Sequence, residues 1–262
     1  MDWGILLMVT FFAATVQSAT GFGFGLIAVS AFLIMLNSVA AIQLVMIITL
    51  AMSCVHFPKL RGMAPGQLLK WLSMGCALGF PLGILVYNEL DLDAIKMAVA
   101  VLIILISLQN GWHLFSQRKS LSQGKGHNLA INGSLSQAPG QSEYRRSAVM
   151  GVGVASGLMA SSMAMPGPAV MLYLSRTALG KNEIRATILT FFLFSYGGAL
   201  LLQATLIGIE SQTWITAAVL TPSALMGVLA GHLLSKKINQ QLFKGLVLLI
   251  LLLTGLFMLI NL

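Results

Sequence analysis

The sequence predicts an all-α membrane protein that crosses the bilayer several times and is built from two inverted repeats. Of its 262 residues, 57% are hydrophobic and only 8% are charged, whereas a soluble domain averages about 25% charged residues. Long apolar runs follow one another along the chain, and two of them are interrupted near their centres by glycine or proline. Basic residues collect in particular loops, as in membrane proteins that follow the positive-inside rule.

The first apolar run, residues 3–36, contains no charged residue. It is longer than the roughly 20 residues that a helix needs to cross a ~30 Å hydrocarbon core. Gly21, Gly23 and Gly25 lie at its centre, and each glycine costs a helix about 1 kcal/mol relative to alanine. We therefore expect a re-entrant hairpin of two half-helices. Because irregular backbone inside a membrane must be buried in protein or line a cavity, the break also predicts a site.

The rest of the chain divides into two similar halves. The second half opens with another interrupted run, 147–175, which is centred on Met165, Pro166 and Gly167. Residues 117–144 are rich in Ser, Gln, Gly and Asn, a composition typical of a flexible linker. Each half also holds three apolar segments of spanning length: 40–57, 68–87 and 95–115, then 186–207, 214–234 and 242–260.

These segments predict a first repeat over 1–116, a cytoplasmic linker over 117–146 and a second repeat over 147–262. Offsets of 148 and 142 residues align several positions of the two halves: Gly79 with Gly227, Gly83 with Gly231, Thr20 with Ser162, Gly25 with Gly167 and Ser53 with Ser195.

Charge predicts how the two halves are oriented. Arg145 and Arg146 precede the second broken run and Arg176 follows it, so both of its ends favour the cytoplasm and the segment should be re-entrant. The halves would then insert with opposite orientation and place both termini outside. Inverted repeats with broken helices are a recurring plan of secondary transporters. The alternative is eight full spans, which would give both halves the same orientation.

Two half-helix N-termini that face each other near the midplane predict an anion site. A helix N-terminus offers free N–H groups and about half a positive charge, so it binds an anion without a cationic side chain. Tight helix packing, which also favours glycine and serine in membranes, is the competing interpretation. The expected substrate-binding residues are Gln17, Ser18, Thr20, Gly21, Gly23, Gly25, Ser161, Ser162, Pro166 and Gly167.

Secondary candidates are polar residues of the first full span in each half. They are Gln43, Thr49 and Ser53 in the first half and Thr187, Thr190 and Ser195 in the second. Each of these side chains could equally bond its own backbone or a neighbouring helix. Arg185, near the cytoplasmic start of its span, could attract an anion, although topology alone would explain it.

Several function classes receive no support from the sequence. None of the seven acidic residues lies in the middle of an apolar segment, which argues against the intramembrane carboxylate that proton- and cation-coupled carriers commonly hold. Nucleotide-binding loops, catalytic motifs and metal-ligand spacings are absent. We therefore expect no enzyme activity, no cofactor, no metal site and no nucleic-acid partner.

The glycine patterns resemble those of the TauE/SafE family of sulfite and organosulfonate exporter-like permeases. The resemblance rests on the sequence Gly-Phe-Gly-Phe-Gly at 21–25, on Ser156-Gly157 with Pro166-Gly167, and on the paired glycine-rich late spans. It covers nearly the whole chain and implies a bacterial inner-membrane permease for sulfite, sulfoacetate or another small anion. Residues 163–165 depart from the glycine-rich run that family members often have, so 20–25 is the better half of the expected site.

The combined hypothesis is an inner-membrane secondary transporter that exports a small sulfur-containing or organic anion. Its partners would be that anion and the lipid bilayer, with homo-oligomerisation left open. Two alternatives remain at this point: an uptake permease for another small metabolite or a metal, and a membrane scaffold that transports nothing. An inside-negative potential would assist anion export by about 2.3 kcal/mol per elementary charge per 100 mV.

Overall fold

A computed structural model describes residues 2–21, 23–60, 62–123, 145–177, 179–234 and 240–260. Every regular element within these ranges is an α-helix, which confirms the all-α prediction. The first half comprises α1 (Trp3–Thr20), α2 (Phe24–Leu36), α3 (Ala40–Leu60), α4 (Gly66–Glu89) and α5 (Leu92–Gln123). The second comprises α6 (Arg146–Met163), α7 (Gly167–Leu174), α8 (Lys181–Leu206), α9 (Ser211–Leu234) and α10 (Gln240–Ile260).

Six helices in the described part of the chain are long and apolar enough to cross a membrane. They are α1, α3, α4, α5, α8 and α9, while α2 and the 247–260 portion of α10 are shorter apolar helices. The chain is therefore a multi-pass membrane protein. Its core runs between the helices, whereas large side chains such as Leu85, Leu201 and Ile260 remain exposed on the outer faces, as expected of surfaces that contact lipid.

Helices α3 and α5 extend beyond the ends that the sequence predicts for them. The first is α3, which continues through Pro58 to Leu60; a proline so close to the end disturbs only the last turn of a nearly complete helix. The second is α5, which continues to Gln123, into the predicted linker, because Gln117, Arg118 and Lys119 are good helix formers. Residues 124–144 of that linker lie outside the described residues, and the domain boundaries remain predictions.

The chain reverses direction between α1 and α2 and again between α6 and α7. A Cβ placed on Gly23 would lie 3.5 Å from Val16 Cγ1, and Ser156 Oγ donates a hydrogen bond of 2.9 Å to the Pro166 carbonyl. Ten residues of continuous helix would separate Ser156 from Pro166 by about 15 Å. The chain therefore has a hairpin at each of the two predicted breaks.

Glycines join each hairpin to a helix of the opposite half. A Cβ on Gly79 of α4 would overlap the Val154 carbonyl of α6, and one on Gly227 of α9 would overlap the Phe11 carbonyl of α1. Gly79 and Gly227 are 148 positions apart, the offset that the sequence comparison predicts. Small residues at such contacts let helix backbones approach closely, so the halves interlock.

A pair of serines repeats this correspondence. Ser18 Oγ donates to the Val228 carbonyl at 2.8 Å, and Ser161 Oγ donates to the Phe80 carbonyl at 3.0 Å. Their acceptors are again 148 positions apart, whereas the serines are 143 apart. For α1 and α6, equivalent positions are thus 143 residues apart, one more than the predicted 142. The prediction aligned residues of similar type, whereas the structure aligns residues that have equivalent hydrogen-bond partners.

The third helices of the two halves, α3 and α8, run antiparallel. Gln43, early in α3, donates to the Gly208 carbonyl just beyond the end of α8 at 3.1 Å. Later in α3 and earlier in α8, a Cβ on Gly197 would lie 3.6 Å from Leu50 Cδ1. Equivalent helices run antiparallel in inverted repeats and parallel in repeats of like orientation. These contacts therefore support the predicted inverted arrangement over eight spans of like orientation.

The glycine contact between α4 and α6 is testable by adding one methyl group. Gly79→Ala should destabilise the protein by about 1–3 kcal/mol, because its Cβ would overlap the Val154 carbonyl. Gly151→Ala is the matched control, since Gly151 lies in α6 with no atom within 4 Å of its Cβ position. Thermal unfolding in detergent should show a lower Tm for the first variant only. Equal Tm values would contradict the close helix contact.

The inverted arrangement makes a prediction about topology. A reporter fused after Leu262 should be active as alkaline phosphatase and dark as a green fluorescent protein, because the chain is expected to end outside. The same reporters inserted within 117–146 should give the opposite result. Fluorescence from the fusion after Leu262 would refute the arrangement.

Candidate functional site

A small cavity lies where the two hairpins meet. Its volume is about 10 Å³, enough for roughly one water-sized group. None of its lining residues carries a formal charge at neutral pH. The lining consists of Gln17, Gly23, Gly25 and Leu26 from the first hairpin, Met165, Gly167 and Pro168 from the second, and Phe192 and Tyr196 from α8.

The first break depends on glycine backbone conformations. Gly21 has a φ of 90° and Gly23 a φ of 116°, a region that L side chains rarely adopt. The Gly21 N–H closes α1 by bonding the Gln17 carbonyl at 2.7 Å, and α2 then begins at Phe24. The first N–H groups of a helix have no partner within it. Gly25 and Leu26 lie in this first turn of α2, and both residues line the cavity.

The second break is built differently. Ala164 takes the left-handed conformation with a φ of 52°, and the Met165 N–H bonds back to the Met159 carbonyl at 3.1 Å, which gives a carbonyl near the end of α6 a partner. The next helix, α7, starts at Gly167, but Pro168 has no N–H to offer. The second tip therefore presents fewer amide donors to the cavity than the first.

The tips approach each other at Gly25. A Cβ on this residue would lie 2.7 Å from the Ala164 carbonyl oxygen and 3.1 Å from the Tyr196 hydroxyl. That hydroxyl donates to the same carbonyl at 2.9 Å, fully buried, and the Thr49 side chain lies within hydrogen-bonding reach of it. Only glycine leaves enough room for this contact between the two halves.

Gln17 brings unused hydrogen-bonding capacity to the cavity. Its side chain is 1% exposed, and neither Nε2 nor Oε1 has a hydrogen-bond partner among the described residues. Leaving a buried polar group unsatisfied costs about 1–3 kcal/mol. Gln17 therefore brings to the cavity an amide –NH₂ group and a carbonyl oxygen, both without a partner among the described residues.

Both half-helices that enter the tips are capped by side chains from α8. Arg185 Nη2 donates to the Ser18 carbonyl at the end of α1 at 2.6 Å. Gln203 Nε2 donates to the Ser161 carbonyl at the end of α6 at 2.7 Å. These donors counter the partial negative charge of a helix C-terminus. A Cβ on Gly21 would also lie 3.2 Å from Arg185 Cγ, so the arginine packs against the first turn.

The comparison with protein-family models identifies the family. The model described as sulfite exporter TauE/SafE matches residues 6–258. The chain belongs to the TauE/SafE family. This confirms the resemblance seen in the glycine patterns, and the members of this family are membrane transporters of the sulfite exporter type. Searches against curated proteins and against solved structures found no match to the chain.

In this TauE/SafE chain, four of the residues expected to bind substrate line the cavity: Gln17, Gly23, Gly25 and Gly167. The other six form the surrounding structure. Gly21 makes the turn, and Pro166 accepts a hydrogen bond from Ser156. The hydroxyl groups of Ser18, Thr20, Ser161 and Ser162 donate to the carbonyls of Val228, Val16, Phe80 and Leu158, respectively.

The secondary candidates lie outside the described lining of the cavity. Thr190 Oγ1 is buried without a partner among the described residues. The other five donate to the backbone: Gln43 to Gly208, Thr49 to Val45, Ser53 to Thr49, Thr187 to Glu183 and Ser195 to Phe192.

Gln203 is less evident in the sequence than its contact with the end of α6 warrants. Gln203 is a lone glutamine in an apolar span, and that isolation is the signal that could have revealed it. Tyr196 stands out in the same way among the apolar residues of α8. The apolar lining residues Leu26, Met165, Pro168 and Phe192 have no comparable signal, because most residues of this chain are hydrophobic.

The contact at Gly25 predicts a strong effect from one methyl group. Gly25→Ala should lower the Tm and weaken anion binding, because its Cβ would push the Ala164 carbonyl and the Tyr196 hydroxyl away; overpacking of this kind typically costs about 1–3 kcal/mol. Gly4→Ala on α1 is the control, since nothing lies within 4 Å of that Cβ position. Thermal unfolding with and without sulfite would measure both effects. Indistinguishable behaviour of the two variants would contradict the contact.

Proposed function

We propose that this protein is a secondary transporter that exports sulfite or a related small sulfonate across the bacterial inner membrane. The observation that carries the proposal is the convergence of two broken helices, one from each half, on a cavity that holds the unpartnered amide of Gln17. Membership of the TauE/SafE family supports the same class of substrate.

The proposed ligand is an anion because the polar groups offered at the first tip include several donors. The backbone N–H groups of Gly25 and Leu26 lie at the N-terminus of α2, which carries about half a positive charge. Gln17 Nε2 adds a neutral donor from α1. Such a terminus holds an anion without help from a cationic side chain. The second tip, with Pro168, has the smaller role.

Transport requires the cavity to change size. A cavity of about 10 Å³ has room for about one water-sized group, so the proposed anion fits when the hairpin tips move apart. The first half-helices are fixed at glycine contacts, α1 to α9 and α6 to α4. The proposed motion therefore involves the shorter helices α2 and α7, which begin at the cavity, and the contact made by Tyr196.

The proposed carrier transports its substrate without chemical change. An inside-negative potential favours anion export by about 2.3 kcal/mol per elementary charge per 100 mV, which removes the need for an intramembrane carboxylate. In the proposed orientation both termini face the outside and residues 117–146 face the cytoplasm. Arg185 then lies on the cytoplasmic side of the first tip.

Ligand-dependent stability tests the anion site. Sulfite and methanesulfonate should raise the Tm of the purified protein, followed by intrinsic fluorescence of its four tryptophans. A ligand at a hundred times its Kd stabilises a protein by about 2.7 kcal/mol. A neutral solute of similar size should have no effect. Absence of stabilisation by sulfite, sulfonates and small carboxylates alike would contradict the proposal.

Flux through reconstituted vesicles tests the tip. Gly23→Leu should abolish sulfite flux, because Gly23 lines the cavity and its φ of 116° suits glycine alone. Gly4→Leu provides the control, since Gly4 is exposed with open space around it. Both variants should insert normally by protease protection. Unchanged flux in Gly23→Leu would remove the first tip from the pathway.

A further inference from the structure

The side chain of Gln17 can both donate and accept a hydrogen bond, and an anion without a donor group can pair only with its donor. Nε2 donates and suits the oxygen of an anion, but Oε1 is an acceptor, and both atoms are buried without a partner among the described residues. A buried acceptor that stays unpaired is costly. The ligand that fits best therefore carries a hydrogen-bond donor as well as negative charge.

The charge of the cavity limits the charge of its ligand. None of the lining residues carries a formal positive charge at neutral pH, and the N-terminus of α2 supplies only about half an elementary charge. Because the Born cost of leaving water grows with the square of the charge, a dianion pays about four times as much as a monoanion. The site is suited to one negative charge.

We propose that the transported species is hydrogensulfite, the singly charged and protonated form, and that Gln17 selects it over the sulfite dianion. This inference rests on the proposed function. The O–H of hydrogensulfite donates to Gln17 Oε1, while its oxygens accept from Gln17 Nε2 and from the amides of Gly25 and Leu26. The two forms interconvert near neutral pH, so the supply of transportable anion depends on pH while the site itself keeps its charge.

Titration of the protein must be separated from titration of the ligand. Of the groups that could titrate around the site, only Tyr196 lines the cavity. Arg185 bonds the Ser18 carbonyl, one residue beyond Gln17. On the four hairpin helices and on α3, α8 and α9, the described titratable or charged side chains are Arg146 on α6, Tyr173 on α7, Cys54 and His56 on α3, Glu183, Arg185 and Tyr196 on α8, and His232 on α9.

Calorimetry on the unaltered protein makes this separation if the binding of sulfite and of methanesulfonate is measured over a pH series. The affinity for total sulfite should fall about tenfold per pH unit above the pKa of hydrogensulfite. Methanesulfonate stays singly charged throughout, so its affinity should not change. A sulfite affinity that is constant or rises with pH overturns the proposal, and so does a parallel fall for methanesulfonate, which would assign the titration to the protein. Binding of neither anion at any pH would instead refute the proposed function.

A substitution tests the role of Gln17 directly. Gln17→Met keeps the length of the side chain but removes both the donor and the acceptor. The Gln17 donor bonds both anions, whereas the acceptor bonds hydrogensulfite alone. The ratio of the affinity for sulfite to that for methanesulfonate should therefore fall about tenfold at mildly acidic pH. That is the effect of losing one hydrogen bond while its partner stays buried. An equal loss of affinity for both anions contradicts the assignment.

Thr10→Val is the matched control for that variant. Thr10 is also fully buried on α1, but its hydroxyl bonds the Leu6 carbonyl within the same helix at 2.7 Å. The control should keep the preference for sulfite. If Gln17→Met does not fold, the pH series on the unaltered protein decides the question alone.

Discussion

A helix that breaks inside a membrane must find partners for its freed backbone groups within the protein, and this requirement shapes the structure around both hairpins. At the first tip, Arg185 satisfies the Ser18 carbonyl at the C-terminus of α1. At the second, Gln203 satisfies the Ser161 carbonyl of α6, and Tyr196 satisfies the Ala164 carbonyl in the turn. All three capping side chains come from one helix, α8.

The consequence is a difference between the two kinds of helix end. The C-termini, which carry partial negative charge, are capped by side chains. The N-terminus of α2 opens instead into the cavity beside the unpartnered amide of Gln17. Donor groups are thus left available while most acceptors are engaged, and this imbalance supports an anion site in a lining without formal charge. Among the described residues that line the cavity, Gln17 contributes a side-chain acceptor without a partner, Oε1, and this atom is the basis for inferring a protonated anion.

Close helix packing makes this arrangement rigid enough to be specific. Glycines of α4 and α9 let the backbones of α6 and α1 approach until an added methyl group would overlap a carbonyl. Since α4 belongs to the first half and α6 to the second, each half positions the hairpin of the other. The serine bonds from Ser18 to Val228 and from Ser161 to Phe80 repeat this interlocking in both halves.

The sequence was sufficient to predict the helix breaks, because an apolar run that exceeds one span and is interrupted by glycine does not form a single straight helix across the bilayer. It predicted less about side chains. Ser18, Thr20, Ser161 and Ser162 were expected to face a ligand, and their hydroxyls donate to backbone carbonyls, some in another helix. For Ser18 and Ser161, helix packing decides which carbonyl lies within reach, and residue type does not encode that packing. Thr20 and Ser162 bond the carbonyl four residues earlier in their own helix. Capping by Gln203 and the contribution of Tyr196 to the cavity depend on the same tertiary contacts.

If both hairpin tips contact one anion, that anion should protect thiols introduced at either tip from chemical labelling. Cysteine would replace Leu26 of the first tip or, separately, Met165 of the second, in a chain whose Cys54 and Cys76 are changed to alanine. A small maleimide would label each variant in membranes, with and without saturating methanesulfonate. The anion should slow labelling at both positions. Protection at one position alone, or at neither, would contradict a shared site.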